Sequence, residues 1–147
     1  MNQENNEKGN VVPDETSTIH PYADLIGLEI EESEGGRSTC SVTVTEKLYN
    51  PHRVVHGAVL YALADTGMGA ALYPSLAPDE ICATVEIKIN YYRPVTSGQI
   101  RCLTETVHRG KRVANLESSL YAEERLVAKA NGSYSIFKIA DTAKSIR

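Results

Sequence analysis

The chain has 147 residues, enough for one hydrophobic core and too few for two independent ones, so a single domain is expected. A formal net charge of −4, with acidic and basic residues interspersed, offers no whole-chain surface for nucleic acid or an anionic membrane. No apolar run approaches the roughly 20 residues that a membrane-spanning helix requires.

Residues 1–18 (MNQENNEKGNVVPDETST) are polar and predict a disordered tail, without the basic start and apolar stretch of a secretory signal. The folded domain is expected over 19–140, with a short tail at 141–147. HPYADLIG predicts a short helix with Pro21 in its first turn, and LEIEESEGGRSTCSVTVTE predicts two strands around a Gly35-Gly36 turn. After the loop KLYNPHRV, His56 to about Tyr73 (HGAVLYALADTGMGAALY) predicts a helix ended by Pro74. That helix is apolar or small almost all round, the mark of a helix buried on most sides.

Beyond it, Val85, Ile87, Ile89 and Tyr91 alternate with Thr84, Glu86, Lys88 and Asn90, the period of a strand, and a turn follows at Pro94 to Gly98. IRCLTETVH, VANLESSLYAE and LVAKANGSYSIF read as three more strands joined by RGKR and ER. Four short-linked strands after one buried helix predict an α+β plan, an antiparallel meander wrapped around a central helix.

Three cysteines, Cys40, Cys82 and Cys102, are odd in number and far apart in sequence, with no CxxC pair. They read as reduced thiols of a cytoplasmic protein. The histidines are scattered over different predicted elements and imply no metal site, and no G-x-S-x-G nucleophile elbow is present.

Asp65 is the first candidate for chemistry, because it sits in the middle of the helix among Ala62, Leu63, Ala64, Gly67 and Met68. Burial among such neighbours disfavours a charged carboxylate and makes it a stronger base, as general base catalysis requires. The plainer alternative is an aspartate on the helix's one wet stripe. His56-Gly57 opens the same helix, where unpaired N–H groups and the helix dipole can hold an oxygen gaining negative charge. A simple loop-to-helix junction, with His56 as a capping side chain, is the competing reading.

Gly57 and Asp65 are eight residues apart, about 12 Å along a helix axis, so one reacting carbonyl cannot touch both. If both serve one substrate, they must come from different subunits. Asn50, in the loop before the helix, suits a water-holding amide or an ordinary turn starter. Thr84 opens the next strand and suits a hydrogen bond to a catalytic carboxylate or water, or is an ordinary β-branched strand residue. The hairpin tip Arg109, Gly110, Lys111 and Arg112 suits phosphates or is a solvated basic turn. Asn131-Gly132-Ser133 puts a glycine into the last strand, predicting a bulge or a close ligand approach.

The pattern N-x5-HGA-x7-D over Asn50 to Asp65, followed by TVEIKINYYRP, RGKR and NGSY, resembles the hotdog-fold acyl-CoA thioesterases of the phenylacetate-pathway type, from about Leu25 to Phe137. The resemblance implies one long central helix wrapped by an antiparallel sheet, with sites at subunit interfaces of a homodimer, and dimers paired into homotetramers. It implies Asp65 as general base or nucleophile and the Gly57 N–H on the thioester carbonyl. His56 would support that loop, Asn50 would hold water or the leaving sulfur, and Thr84 would stand near the carboxylate. Arg109, Lys111 and Arg112 would face the phosphates of coenzyme A, which enters as part of the substrate; no separate cofactor, nucleic acid or membrane partner is implied. One departure is visible, since the family often has His-Gly-Gly where this chain has His56-Gly57-Ala58. A hotdog dehydratase or hydratase would need a His–acid pair that the helix does not carry. A non-catalytic acyl-CoA sensor would usually carry a fused DNA-binding module.

Overall fold

The computed structural model describes residues 20–141, so the expected tail at 1–18 and nearly all of that at 141–147 lie outside the described residues. Helix α1 (Pro21–Ile26) begins where the His20 imidazole accepts the Ala23 N–H at 3.2 Å, and it ends at Gly27 in the left-handed conformation. Strands β1 (Leu28–Glu34) and β2 (Arg37–Thr43) form the expected hairpin, turning on Gly35 and Gly36, both at positive φ. Helix α2 spans Gly57–Leu72, and Pro74 falls in the short 3-10 turn Tyr73–Ser75 that ends it. Four strands follow, β3 (Glu80–Tyr91), β4 (Gln99–Arg109), β5 (Val113–Ala122) and β6 (Arg125–Lys138).

All six strands form one antiparallel sheet in the order β1-β2-β4-β5-β6-β3. The sheet packs around α2, whose Leu63, Met68 and Leu72 are fully buried with Val42, Ile100, Leu116 and Leu120 from the strands. This is the hotdog fold. The meander, however, contains only β4, β5 and β6. Strand β3 pairs with β6 at the far edge, and residues 92–98 carry the chain back to β4 in the middle of the sheet. That connection is held at both ends: Tyr92 N–H reaches Val127 O at 2.8 Å and Val55 N–H reaches Val95 O at 2.8 Å.

Two glycines set how close helix and sheet come. A Cβ on Gly67 would lie 2.7 Å from Thr104 Oγ1, and one on Gly132 would lie 2.5 Å from Met68 Sδ, so neither site admits a side chain without a shift. Cys40 and Cys102, distant in sequence, stand directly opposite each other on β2 and β4, both buried and free. No helix of the described residues is long and apolar enough to cross a membrane.

Candidate active site

Helix α2 is buried on most sides, but Ala58, Tyr61, Asp65 and Gly69, spaced three or four residues apart, are left partly open along β3. Asp65 therefore lies on an open stripe of the helix, half-buried, and it is not free there. Thr84 donates its hydroxyl to Asp65 Oδ1 at 2.7 Å, and Tyr134 donates to the same oxygen at 2.6 Å, with the Asp65 carbonyl 2.9 Å from the same phenol. Oδ1 is thus fully engaged. Oδ2 has no hydrogen-bond partner among the described residues and is the oxygen left to take a proton or attack.

Thr84 reaches the helix because β3 carries a bulge. The register steps from Thr84 opposite Tyr134 to Glu86 opposite Ser133, leaving Val85 as the extra residue. Simple alternation assigns Val85 to the core and Thr84 to solvent; the bulge reverses them, leaving Val85 67% exposed and Thr84 against the carboxylate. Tyr134 is the second hydroxyl on the carboxylate, which sequence reading missed although it ends the quoted NGSY. Burial first, and the bond to Asp65 second, push its phenol well above the usual tyrosine range, so it stays protonated and keeps donating.

At the start of α2, His56 is the N-cap, its Nδ1 accepting the Ala58 N–H at 2.9 Å. The Ala58 N–H is therefore occupied, while the Gly57 N–H has no acceptor among the described residues. Tyr91 donates to Gly57 O at 2.8 Å, and its ring would lie 3.1 Å from a Cβ at Gly57, a tight contact that a side chain there would have to press aside. Asn50 shapes the preceding turn, its Oδ1 accepting from His52 N at 2.9 Å and more distantly from Val54 N at 3.4 Å. Its Nδ2 remains as a donor. His52 and His56 are four residues apart, a metal-binding spacing on a helix, but here they flank a turn. Among the described residues no group of three or more His, Cys, Asp or Glu side chains could hold a metal ion.

The remaining candidates fall into separate places. Arg109 is consumed internally, binding Glu80 at 2.7 Å, Ser75 O at 3.2 Å and Gly110 O at 2.6 Å. Lys111 and Arg112 are exposed and, with Arg109, line an open groove of about 570 Å³ that also includes Lys138 and Asp141. The Arg112 carbonyl bonds Ile136 N–H, two residues past Tyr134, so the tip lies toward the Asp65 end of the site. Gly132 shows no bulge of its own and faces Met68, whereas Ser133 accepts from Asn115 at 2.9 Å and Asn131 is exposed. The site thus has two poles on one helix, a pinned carboxylate at Asp65 and an unpaired N–H at Gly57.

A hotdog fold with a hydroxyl-pinned carboxylate on its central helix defines the class of protein. The thioesterase superfamily profile matches residues 52–129, more than half of the chain, and the chain belongs to that family of thioester hydrolases. It is 33% identical over 88 residues to the 1,4-dihydroxy-2-naphthoyl-CoA hydrolase of Listeria monocytogenes, covering 60% of this chain and 72% of that one. A conserved protein of Pseudomonas aeruginosa superposes with a TM-score of 0.78 at 33% identity, covering 81% of this chain and 95% of its own. The Escherichia coli PaaI protein from the phenylacetic acid degradation operon shares the fold, with a TM-score of 0.73 at 23% identity over 79% and 83% of the two chains.

Proposed function

We propose that this chain hydrolyses an acyl-coenzyme A thioester, with Asp65 as base or nucleophile and the Gly57 N–H of a second subunit polarising the thioester carbonyl. The observation that carries this reading is the Asp65 carboxylate, one oxygen pinned by two hydroxyls and the other free, on an open stripe of a largely buried helix. Asp65 Oδ2 takes the proton of an attacking water, or attacks the carbonyl itself to give an anhydride that water then opens. The tetrahedral oxygen gathers negative charge at the Gly57 N–H, and collapse expels the coenzyme A sulfur as a thiolate, which takes the proton Asp65 drew from water or, on the anhydride route, one from solvent.

Asp65 and Gly57 lie about 12 Å apart along one continuous helix, so a single subunit cannot bring both to one carbonyl. The open edge of strand β3 supports a reading with two subunits. Its outer edge is unpaired among the described residues, and a 12-residue edge carrying exposed Val85 and Tyr91 is one that proteins usually cover. Pairing two β3 edges antiparallel about a two-fold axis at Lys88, with the Val85 bulge carried along, sets Thr84 opposite the second subunit's Tyr91. Thr84 marks Asp65 and Tyr91 marks Gly57, so this register brings the two poles together twice per homodimer. Pairing of two such dimers into a homotetramer belongs to the same reading.

With Arg109 clamped internally, the coenzyme A phosphates fall to Lys111 and Arg112. A reducing cytoplasm fits three unpaired thiols and a thioester substrate. Free-thiol release from a panel of acyl-CoA esters by wild type and Asp65→Asn tests the proposal. Turnover by wild type that Asp65→Asn loses while still binding coenzyme A is the expected result. Binding without turnover in either protein identifies a sensor and overturns the proposal.

A further inference from the structure

A row of hydroxyls crosses the sheet beneath α2. Ser33, Ser38, Thr104 and Ser118 stand directly opposite one another, neighbour to neighbour, across β1, β2, β4 and β5. Ser38, Thr104 and Ser118 are almost wholly buried, where apolar side chains are the ordinary floor for a helix packed on a sheet. A buried hydroxyl costs free energy unless it finds a partner, so its partners show what the row holds.

Two of the four reach the helix. Ser38 Oγ donates to Gly67 O at 2.6 Å, and Ser33 Oγ donates to Ala70 O at 2.7 Å. Thr104 and Ser118 bond each other at 2.6 Å, in the space that Gly67 leaves by having no side chain, since a Cβ there would lie 2.7 Å from Thr104 Oγ1. The two helix carbonyls are three residues apart, about 60° around the axis, and both turn toward β1 and β2. On the other flank Tyr134, from β6, donates to Asp65 O at 2.9 Å, and Asp65 and Gly67 lie about 200° apart around the axis. Hydroxyls therefore hold α2 from two sides next to Asp65. Apolar contacts alone let a helix roll on its bed, whereas directed bonds on opposite flanks do not.

Side chains end about 5 Å from a helix axis, so a roll of about 10° would carry the carboxylate about 0.9 Å. A displacement of about 1 Å is enough to cost a reaction about a hundredfold. Resting on the thioesterase reading above, we infer that Ser38 is a positioning residue for the reaction: acting through Gly67 O, with Ser33 beside it, it fixes the roll of α2 and so the direction of the Asp65 carboxylate.

Thiol release from an acyl-CoA panel by the full chain, with circular-dichroism melts alongside, tests this. Ser38→Ala should lower kcat by about three- to tenfold and leave KM within about twofold. Ser33→Ala, at an exposed position, should lower kcat in the same way by a smaller factor, and it keeps the test intact if Ser38→Ala fails to fold. Ser33→Thr, which keeps the hydroxyl on a strand that favours a branched residue, should stay near wild type. Ile100→Val, a core change on the strand of Thr104 that touches no hydrogen bond, should melt earlier and keep kcat. Serine-to-alanine variants that melt earlier at wild-type kcat overturn the inference and leave both serines as packing residues. So does a kcat loss that Ile100→Val or Ser33→Thr reproduces, or a rise in KM with kcat unmoved. Hydrolysis of none of the esters by wild type overturns the thioesterase reading itself, and the inference with it.

Discussion

Replacing Tyr134 by Phe removes one oxygen and leaves the ring in its buried place, so it isolates the bond to Asp65 Oδ1 at 2.6 Å. The Asp65 carbonyl, the phenol's other neighbour, lies within α2 and keeps its helical N–H partner, leaving the carboxylate contact as the main loss. A hydrogen bond to a charged group contributes about 1.5–3 kcal/mol. If that energy holds the carboxylate in its reacting orientation, kcat should fall by about ten- to a hundredfold, since each ~1.4 kcal/mol is a factor of ten. On the proposed reading Tyr134 positions the carboxylate without meeting the substrate, so KM should stay within about twofold. The melting temperature should fall by about 4–10 °C for the same energy. Thr84→Val acts on the same oxygen, so the double variant should lose less in kcat than the product of the two single losses. Steady-state thiol release and a circular-dichroism melt supply both readouts. A variant that melts earlier but retains wild-type kcat would refute the positioning role and leave Tyr134 as a core residue only.

Lys111→Ala and Arg112→Ala should each raise KM for acyl-CoA, with the effect shrinking at high salt, whereas Arg109→Ala should act mainly on stability; a KM effect confined to Arg109 contradicts this division. The Ala77 N–H and, next, Arg109 lower the Glu80 carboxyl below its ordinary value of 4.5, so their stabilisation is present at neutral pH and lost as pH falls below that value. Arg109→Ala should accordingly lower the melting temperature more at pH 7 than at pH 3, and an equal loss at both would contradict the linkage. Burial pushes the Cys40 thiol up to about 12 and also raises Cys102 and Cys82, the last helped by the charge of Asp65. Native protein at pH 8 should therefore react slowly with Ellman's reagent, half-buried Cys82 first, and all three thiols should react in guanidinium; two fast native thiols would be inconsistent with these burials. The β5–β6 turn places Glu123 and Glu124 at φ of 49° and 62°, so Glu123→Asn with Glu124→Gly should add about 1 kcal/mol and raise the melting temperature by about 2–4 °C. An unchanged melt would show that the turn carries no such strain.

What the sequence made legible was local. The Gly35-Gly36 hairpin, Pro21 in the first turn of α1 and the stop of α2 at Pro74 each depend on neighbours a few residues away, and each appears where expected. Asp65 stood out because a carboxylate interrupts an apolar helix. Thr84 and Tyr134 lie 19 and 69 residues from it, and only sheet pairing brings them to the same oxygen. Nor does alternation reveal a bulge, since one extra residue reverses the faces of a strand without changing its composition.

The strand whose place was misread is also the one on which the proposed site depends. A hairpin partner for β3 would need a tight turn, yet residues 92–98 are longer than the other strand links and include Pro94, a segment built to cross the end of the sheet. Had β3 been inserted between β2 and β4, both its edges would be filled and no second subunit could add to it. At the margin beside β6, it leaves one edge unpaired along the open stripe of α2 that carries Asp65. The 12 residues of β3 span from Glu80 past Thr84, at the carboxylate, to Tyr91, at the Gly57 carbonyl. An antiparallel copy of that edge exchanges the two ends, so the separation that prevents one subunit from completing the site is what a two-fold axis removes.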